Sequence, residues 1–360
     1  MRASFTGPRV GQRLQHGHRG RRRGAALRHS AAMDAAHLVA RNGGALDRRR
    51  LHELGATDHD LRRALKAGSL NRPRRGWYST WPERDPRFRA MRVGGRLTGI
   101  SAVAALGGWV LGRHALHVAV PTNAARLRNQ WRRDLRRTDA RDDGVVVHWV
   151  SPAHDQSSST GMVDVAEALE LVCCIGPAEQ AIAVLDWVRR TGRLDRIELA
   201  ELRERLGPRR WLVDASVDNC DSLPESLART RLRAAGAQVS TQVTFTDGLE
   251  HIDLVLEGAV AVEVDGDEHH RTRFEEDRAR DLAITRVGLH AVRPSARQVF
   301  TRWPEVQAAL VRALRERGIL VDLHYSGVAQ VGRPATRRES APPGLQPRAA
   351  PALWRHRRTA

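Results

Sequence analysis

Apolar positions along the chain fall into three blocks, each with its own period. The first runs over 33–80. "AAHLVARNGG" has helical spacing. "LDRRRLHELG" sets Leu46, Leu51 and Leu54 on one face and stops at Gly55. "TDHDLRRALKAG" begins with Thr57 as an N-cap, carries Leu61 and Leu65 on one face, and ends at Gly68. "SLNRPRRGWYST" follows, short and β-like, with a turn at Pro73. Three short helices and a basic hairpin are the pattern of a winged helix-turn-helix. Its third helix would offer Arg62, Arg63 and Lys66 to DNA, and its wing Arg72, Arg74 and Arg75. The same pattern also fits a three-helix module that binds protein.

The second block covers 88–217. "LTGISAVAALGGWVL" reads as an apolar helix, "ALHVAVP" and "GVVVHWV" as strands, and three helices follow, ending at Gly176, Gly192 and Gly207. His114, His117 and His148 lie scattered on or beside the strands, which fits a structural role better than a site. The block reads as an α/β and helical linker or scaffold domain. The third block, 218–323, opens on "SLPESLARTRLRAAG", where Ser222 as N-cap and Glu225 three residues on form a capping-box pattern. Strands "AQVSTQVTF", "HIDLVLE" and "AVAVEVDG" come next, then the helix "RFEEDRARDLAITRVG", the strand "LHAVRP" and a closing helix. The order αβββαβα predicts a mixed sheet flanked by helices. The chain is therefore expected to be a multidomain protein of the α/β (α+β) class.

Charge alters this picture less than its size suggests. The net charge is +19 over 360 residues, but 1–32 holds +8 and 333–360 holds +6, which leaves +5 for the body. Both ends read as disordered basic extensions that can meet phosphate backbones nonspecifically. Lys66 is the only lysine, so the basic bias is an arginine bias and also fits GC-rich coding. Met33 opens the first patterned helix and is an alternative start. No run of about 18 apolar residues predicts a membrane span, and the arginines at the start precede no apolar signal core. Three cysteines (Cys173, Cys174 and Cys220) fit buried, reduced thiols. A cytoplasmic protein is expected.

The chemistry concentrates in "AVAVEVDGDEHHRTRFEEDRARD". Glu263 and Asp265 alternate along one strand and project to the same face. An antiparallel turn at Gly258 sets Asp253 opposite Glu263. Three carboxylates at one sheet end favour a cation, and all-oxygen donors favour Mg²⁺ or Mn²⁺. His269 and His270 follow closely enough to act as acid or base, and Arg278 and Arg280 could hold phosphates. A solvated acidic turn followed by a charged helix face accounts for the same residues.

From Ser222 to Arg317 the chain resembles the very-short-patch-repair-like nucleases, within the PD-(D/E)XK superfamily. The resemblance rests on a glutamate in the first helix, a strand with Asp253, the E-x-D-G-x-x-H-H run and the D-R-x-R-D helix. It implies that Glu225, Asp253, Glu263 and Asp265 surround a metal, that His270 (less so His269) assists proton transfer, and that Arg280 and Asp281 support the site. Asp265 stands where the superfamily carries a lysine, which places water activation on a histidine or a second metal. "AVRPS" lacks the aromatic that related chains carry after the arginine, and Pro294 should end that strand early. "GATDHDLRRALKAGSLNRPRRGWYST" is similar to the winged N-terminal domain of AbiEi-type antitoxins, which implies DNA binding and operon autoregulation. Two functions are thus expected as alternatives: a Mg²⁺-dependent DNA endonuclease, or a regulator with an inactive nuclease fold. DNA is the expected partner, with a homodimer or a toxin as a possible second.

Overall fold

The computed structural model describes residues 34–137, 144–150, 160–244, 251–265, 274–323 and 325, without the side chains of 274–277. The expected basic extensions 1–32 and 333–360 lie outside these residues. Mixed α/β structure fills the described chain, and none of its helices is long and apolar enough to cross a membrane.

Helices α1 (Ala35–Arg41), α2 (Arg48–Glu53) and α3 (Asp58–Lys66) surround a two-stranded antiparallel sheet of β1 (Ala45–Asp47) and β2 (Trp77–Ser79). Thr57 caps α3, as its sequence predicts, and forms a full capping box with Asp60. The stretch expected as one helix from Leu46 is split. Gly43 and Gly44, at φ +89° and +91°, turn the chain, and Leu46 then pairs with Tyr78 in the sheet. Asp47 ends the strand and caps α2 by accepting from Arg50 N–H at 3.0 Å. Val39, Leu51, Leu61, Leu70 and Tyr78 form the core. Asn71 bridges Ser79 around "RPRRGWY", the stretch expected as a wing.

In the second block α4 (Pro86–Val93) leads to a sheet of order β3-β4-β5, with β3 (Arg96–Leu97), β4 (Leu116–Pro121) and β5 (Val145–Val150). The β3–β4 pair is antiparallel and β4–β5 parallel. Helix α5 (Gly99–Ala105) is shorter than its apolar run. Beyond the sheet, α6 (Val165–Ile175), α7 (Ala178–Thr191), α8 (Arg196–Arg205) and α9 (Trp211–Ala215) pack around Leu169, Ile182, Leu185 and Leu202.

The third block contains α10 (Leu223–Ala234), β6 (Val239–Val243), β7 (Ile252–Leu256), β8 (Val260–Val262), α11 (Phe274–Arg286), β9 (His290–Val292), α12 (Ala296–Thr301) and α13 (Trp303–Glu316). Its sheet has the order β6-β7-β8-β9, antiparallel twice and then parallel. Leu254, Leu256, Val260 and Val262 pack on one face with Leu227 and Leu232 of α10 and Leu310 and Leu314 of α13. Val255 and Ala261 pack on the other with Ile284 and Leu289. Burial on both faces explains why these strands read as continuous apolar runs.

Second and third blocks share a buried polar joint. Asp186 of α7 accepts from Arg229 Nη2 at 2.8 Å and from Ser226 Oγ at 2.6 Å, both on α10, and from Val217 N–H at 2.7 Å. Asp186 and Arg229 are 0% and 1% exposed, so the boundary read at 217/218 lies inside a packed interface.

Candidate active site

The strand register builds the site. Leu254 pairs with Val262 and Leu256 with Val260, so one step further Asp253 stands opposite Glu263, as the turn at Gly258 predicts. Asp253 Oδ2 accepts from Val264 N–H at 3.0 Å. Glu263 is buried, and its N–H donates to Val292 O at 3.1 Å, which carries the β8–β9 pairing to the strand end. Asp265 then bridges Ser295 beyond Pro294, while β9 itself stops at Val292, early as expected. Glu225, buried in the first turn of α10, completes the acidic end of the sheet.

These carboxylates feel one another. Burial, and then the charges of Glu225 and Glu263, push the Asp253 carboxyl up to about 7. Burial raises Glu225 as well, against its bond from Ser222. Glu225 is also a cap: its Oε1 accepts from Ser222 Oγ at 2.7 Å and its Oε2 from Asp221 N–H at 2.9 Å. The residues thus serve both the fold and the acidic cluster.

Two arginines neutralise the rest. Arg280 of α11 spans Glu263, donating from Nη2 to Oε1 at 3.0 Å and from Nε to Oε2, and it also reaches His251 O. Arg293, just past β9, donates to Asp265 Oδ1 at 2.8 Å and lies 3.5 Å from Asp281 Oδ1. Arg280 thus contacts Glu263, and Asp281 lies near Arg293. Arg293 was visible in "LHAVR" but its partner was not. Gln242 was missed too. It stands opposite Asp253 in β6, holds φ +50°, and donates from Nε2 to Glu225 Oε2 at 3.2 Å. A non-glycine residue in that conformation stores strain, which concentrates at functional sites. Its only sequence signal is the "QV" of the strand.

Oxygen donors at this sheet end suit a hard divalent cation, and Asp253 makes a single hydrogen bond. Glu263 and Asp265 would have to share their oxygens with Arg280 and Arg293. Among the described residues no three metal-ligating side chains are close enough to form a ready-made site. His269 and His270 lie outside the described residues. Arg278 is exposed on α11.

In the first block Arg62, Arg63, Lys66 and Arg75 are exposed. Arg63 pairs with Asp60 at 3.2 Å, and Arg62 donates to Asp58 O at 3.1 Å, so both are held along α3. Arg72 and Arg74, in the loop before β2, turn toward the protein. Arg72 lies 5.9 Å from the centre of the Tyr78 ring, and Arg74 is half-buried.

In the second block His148 Nε2 lies 3.0 Å from His117 Nδ1, with the rings stacked. Burial, with the nearby His114, lowers His117 to about 4, so His117 is neutral near pH 7. The three cysteines form no disulfide, and burial pushes Cys220 up to about 12, so it is no nucleophile. No family model matches the chain, and no curated protein does either.

Proposed function

We propose that the chain binds DNA through its first block and hydrolyses phosphodiester bonds at the β7–β8 strand ends as a metal-dependent endonuclease. The observation that carries this reading is Asp253 facing buried Glu263, with buried Glu225 close enough to act on its charge. Such a cluster costs stability unless protons or a cation offset it. Asp253 and Glu263 would hold Mg²⁺ or Mn²⁺, with Asp265 contributing on release from Arg293. When bound, the ion polarises the phosphate and lowers the pKa of water. The chain's own residues do the remaining work. Arg280 fixes the plane of the Glu263 carboxylate, Arg293 holds Asp265, and Asp253, whose carboxyl is pushed up to about 7, would hold the ion in its deprotonated form. His270, five residues past Asp265, is the proposed general base.

A second reading rests on a different observation. Arg280 and Arg293 already neutralise Glu263 and Asp265, as the interior of a retired nuclease fold would need. The chain would then be an AbiEi-like regulator. Cleavage of a mixed DNA pool with Mn²⁺ separates the two. The enzyme reading expects cutting by the parent, and its loss in Asp253→Ala and Glu263→Ala with DNA binding retained. Equal cutting by both variants would remove the assigned site.

A further inference from the structure

One wing arginine points into the molecule. The Arg74 guanidinium lies against Gly94, with Nη1 3.1 Å from the point where a Cβ would sit, and Leu127 Cδ2 is 3.2 Å from that point. Gly94 closes α4 at φ +129°, a backbone that suits glycine and leaves this space open. Arg128 comes to the same place. Its N–H donates to Val93 O at 3.0 Å, and the segment folds back so that Arg137 N–H donates to Leu127 O at 3.0 Å. The Arg128 side chain donates to the Asp134 carbonyl at 3.4 Å. Burial and the Arg128 charge hold Arg74 below its ordinary pKa.

Three more deeply buried arginines have carboxylate partners. Arg92 has Glu83, Arg229 has Asp186, and Arg231 has Glu179. Among the described residues no carboxylate pairs with Arg74 or Arg128. The segment's one acid, Asp134, is bound by Arg132 at 2.8 Å. Arg126, Arg133 and Arg136 stand exposed around it. Like charges held near one another, with one of them half-buried, are costly without an anion between them. A guanidinium pair matches the oxygens of a phosphate.

We propose that Arg74 and Arg128 together hold one backbone phosphate of nucleic acid, at the seam between the wing and the 126–137 segment. The second block is then part of the DNA surface and no mere linker. The inference rests on the DNA-binding half of the reading above and is independent of its metal site.

The test uses the full chain and duplexes of unrelated sequence, titrated across a range of salt. Parent, Arg128→Gln and the Arg74→Gln/Arg128→Gln pair are compared, with Arg62→Gln as a separate helix variant. The double variant should reduce the salt slope by about 1, equally for every duplex. Free of DNA it should melt no lower than the parent, because two like charges are removed. An unchanged slope in a parent that binds DNA overturns the proposal and leaves the α3 reading to the Arg62 variant. A parent that binds no duplex overturns both. Lower melting of the DNA-free double variant would assign the guanidiniums to the fold and overturn the phosphate site. Protection of the parent by inorganic phosphate, without duplex binding, would reassign the seam to a free anion.

Discussion

Asp253 carries its charge where charge is unwelcome. Its carboxyl rises from 3.8 to about 7, so the folded state holds the proton more tightly than the unfolded chain. Stability without metal should therefore fall as pH climbs from about 4 to about 7 and stay low above that. Asp253→Asn should remove this fall and raise stability at pH 8 by on the order of 2 kcal/mol. His117 works in the opposite sense. Its lowered pKa, from 6.5 to about 4, leaves the unfolded chain binding more protons across that window. Stability is lost there as pH falls, and His117→Asn should flatten the loss. Urea unfolding of the parent and each variant over a pH series measures both effects. At this scale the sequence was readable where one turn fixed the geometry. Gly258 alone was enough to set Asp253 opposite Glu263. The arginines that bind Glu263 and Asp265 were not readable as partners, because α11 and β9 meet β8 only through the tertiary fold.

At the scale of elements, local caps were legible and short strands were not. Thr57 with Asp60 and Ser222 with Glu225 announce α3 and α10, since the cap chemistry is complete within four residues. The strand β1 is three residues long and exists because Leu46 meets Tyr78, far along the chain. Its leucine fits a helical face equally well. Close backbone approaches are similarly silent in sequence. Gly95 packs where an added Cβ would lie 1.9 Å from the Ala119 carbonyl oxygen, between β3 and β4. Gly95→Ala should cost about 3 kcal/mol, read as a lower urea midpoint with unchanged slope. A variant as stable as the parent would mean that this edge of the sheet can yield.

Over the whole molecule, packing crosses the boundaries between the three blocks: Ala45 and Trp77 share a core with Phe88 and Met91. Asp186 and Arg229 are buried charged residues on two different helices. Their pairing across 43 positions has no local signature. Desolvation raises Asp186 despite the Arg229 charge, so the pair depends on its geometry. A second tie repeats the pattern: Arg231 of α10 pairs with Glu179 of α7, and Tyr325 donates to Glu179 at 3.1 Å. Arg229→Ala should cost about 3–5 kcal/mol by stranding Asp186, whereas Asp186→Leu with Arg229→Met should cost less than either single change. Equal losses in the single and double variants would mean that the joint is not coupled. The same joint anchors α10, and with it Glu225, so a weakened interface should also disturb the acidic sheet end.

That acidic end is the centre of the account, and titration of Mn²⁺ and Mg²⁺ into the full chain tests it most directly. The parent should bind the ion, and Asp253→Ala should lose it while keeping its fold by circular dichroism. A folded parent that takes up neither ion, with or without DNA, would contradict the metal site and leave the regulator reading in its place.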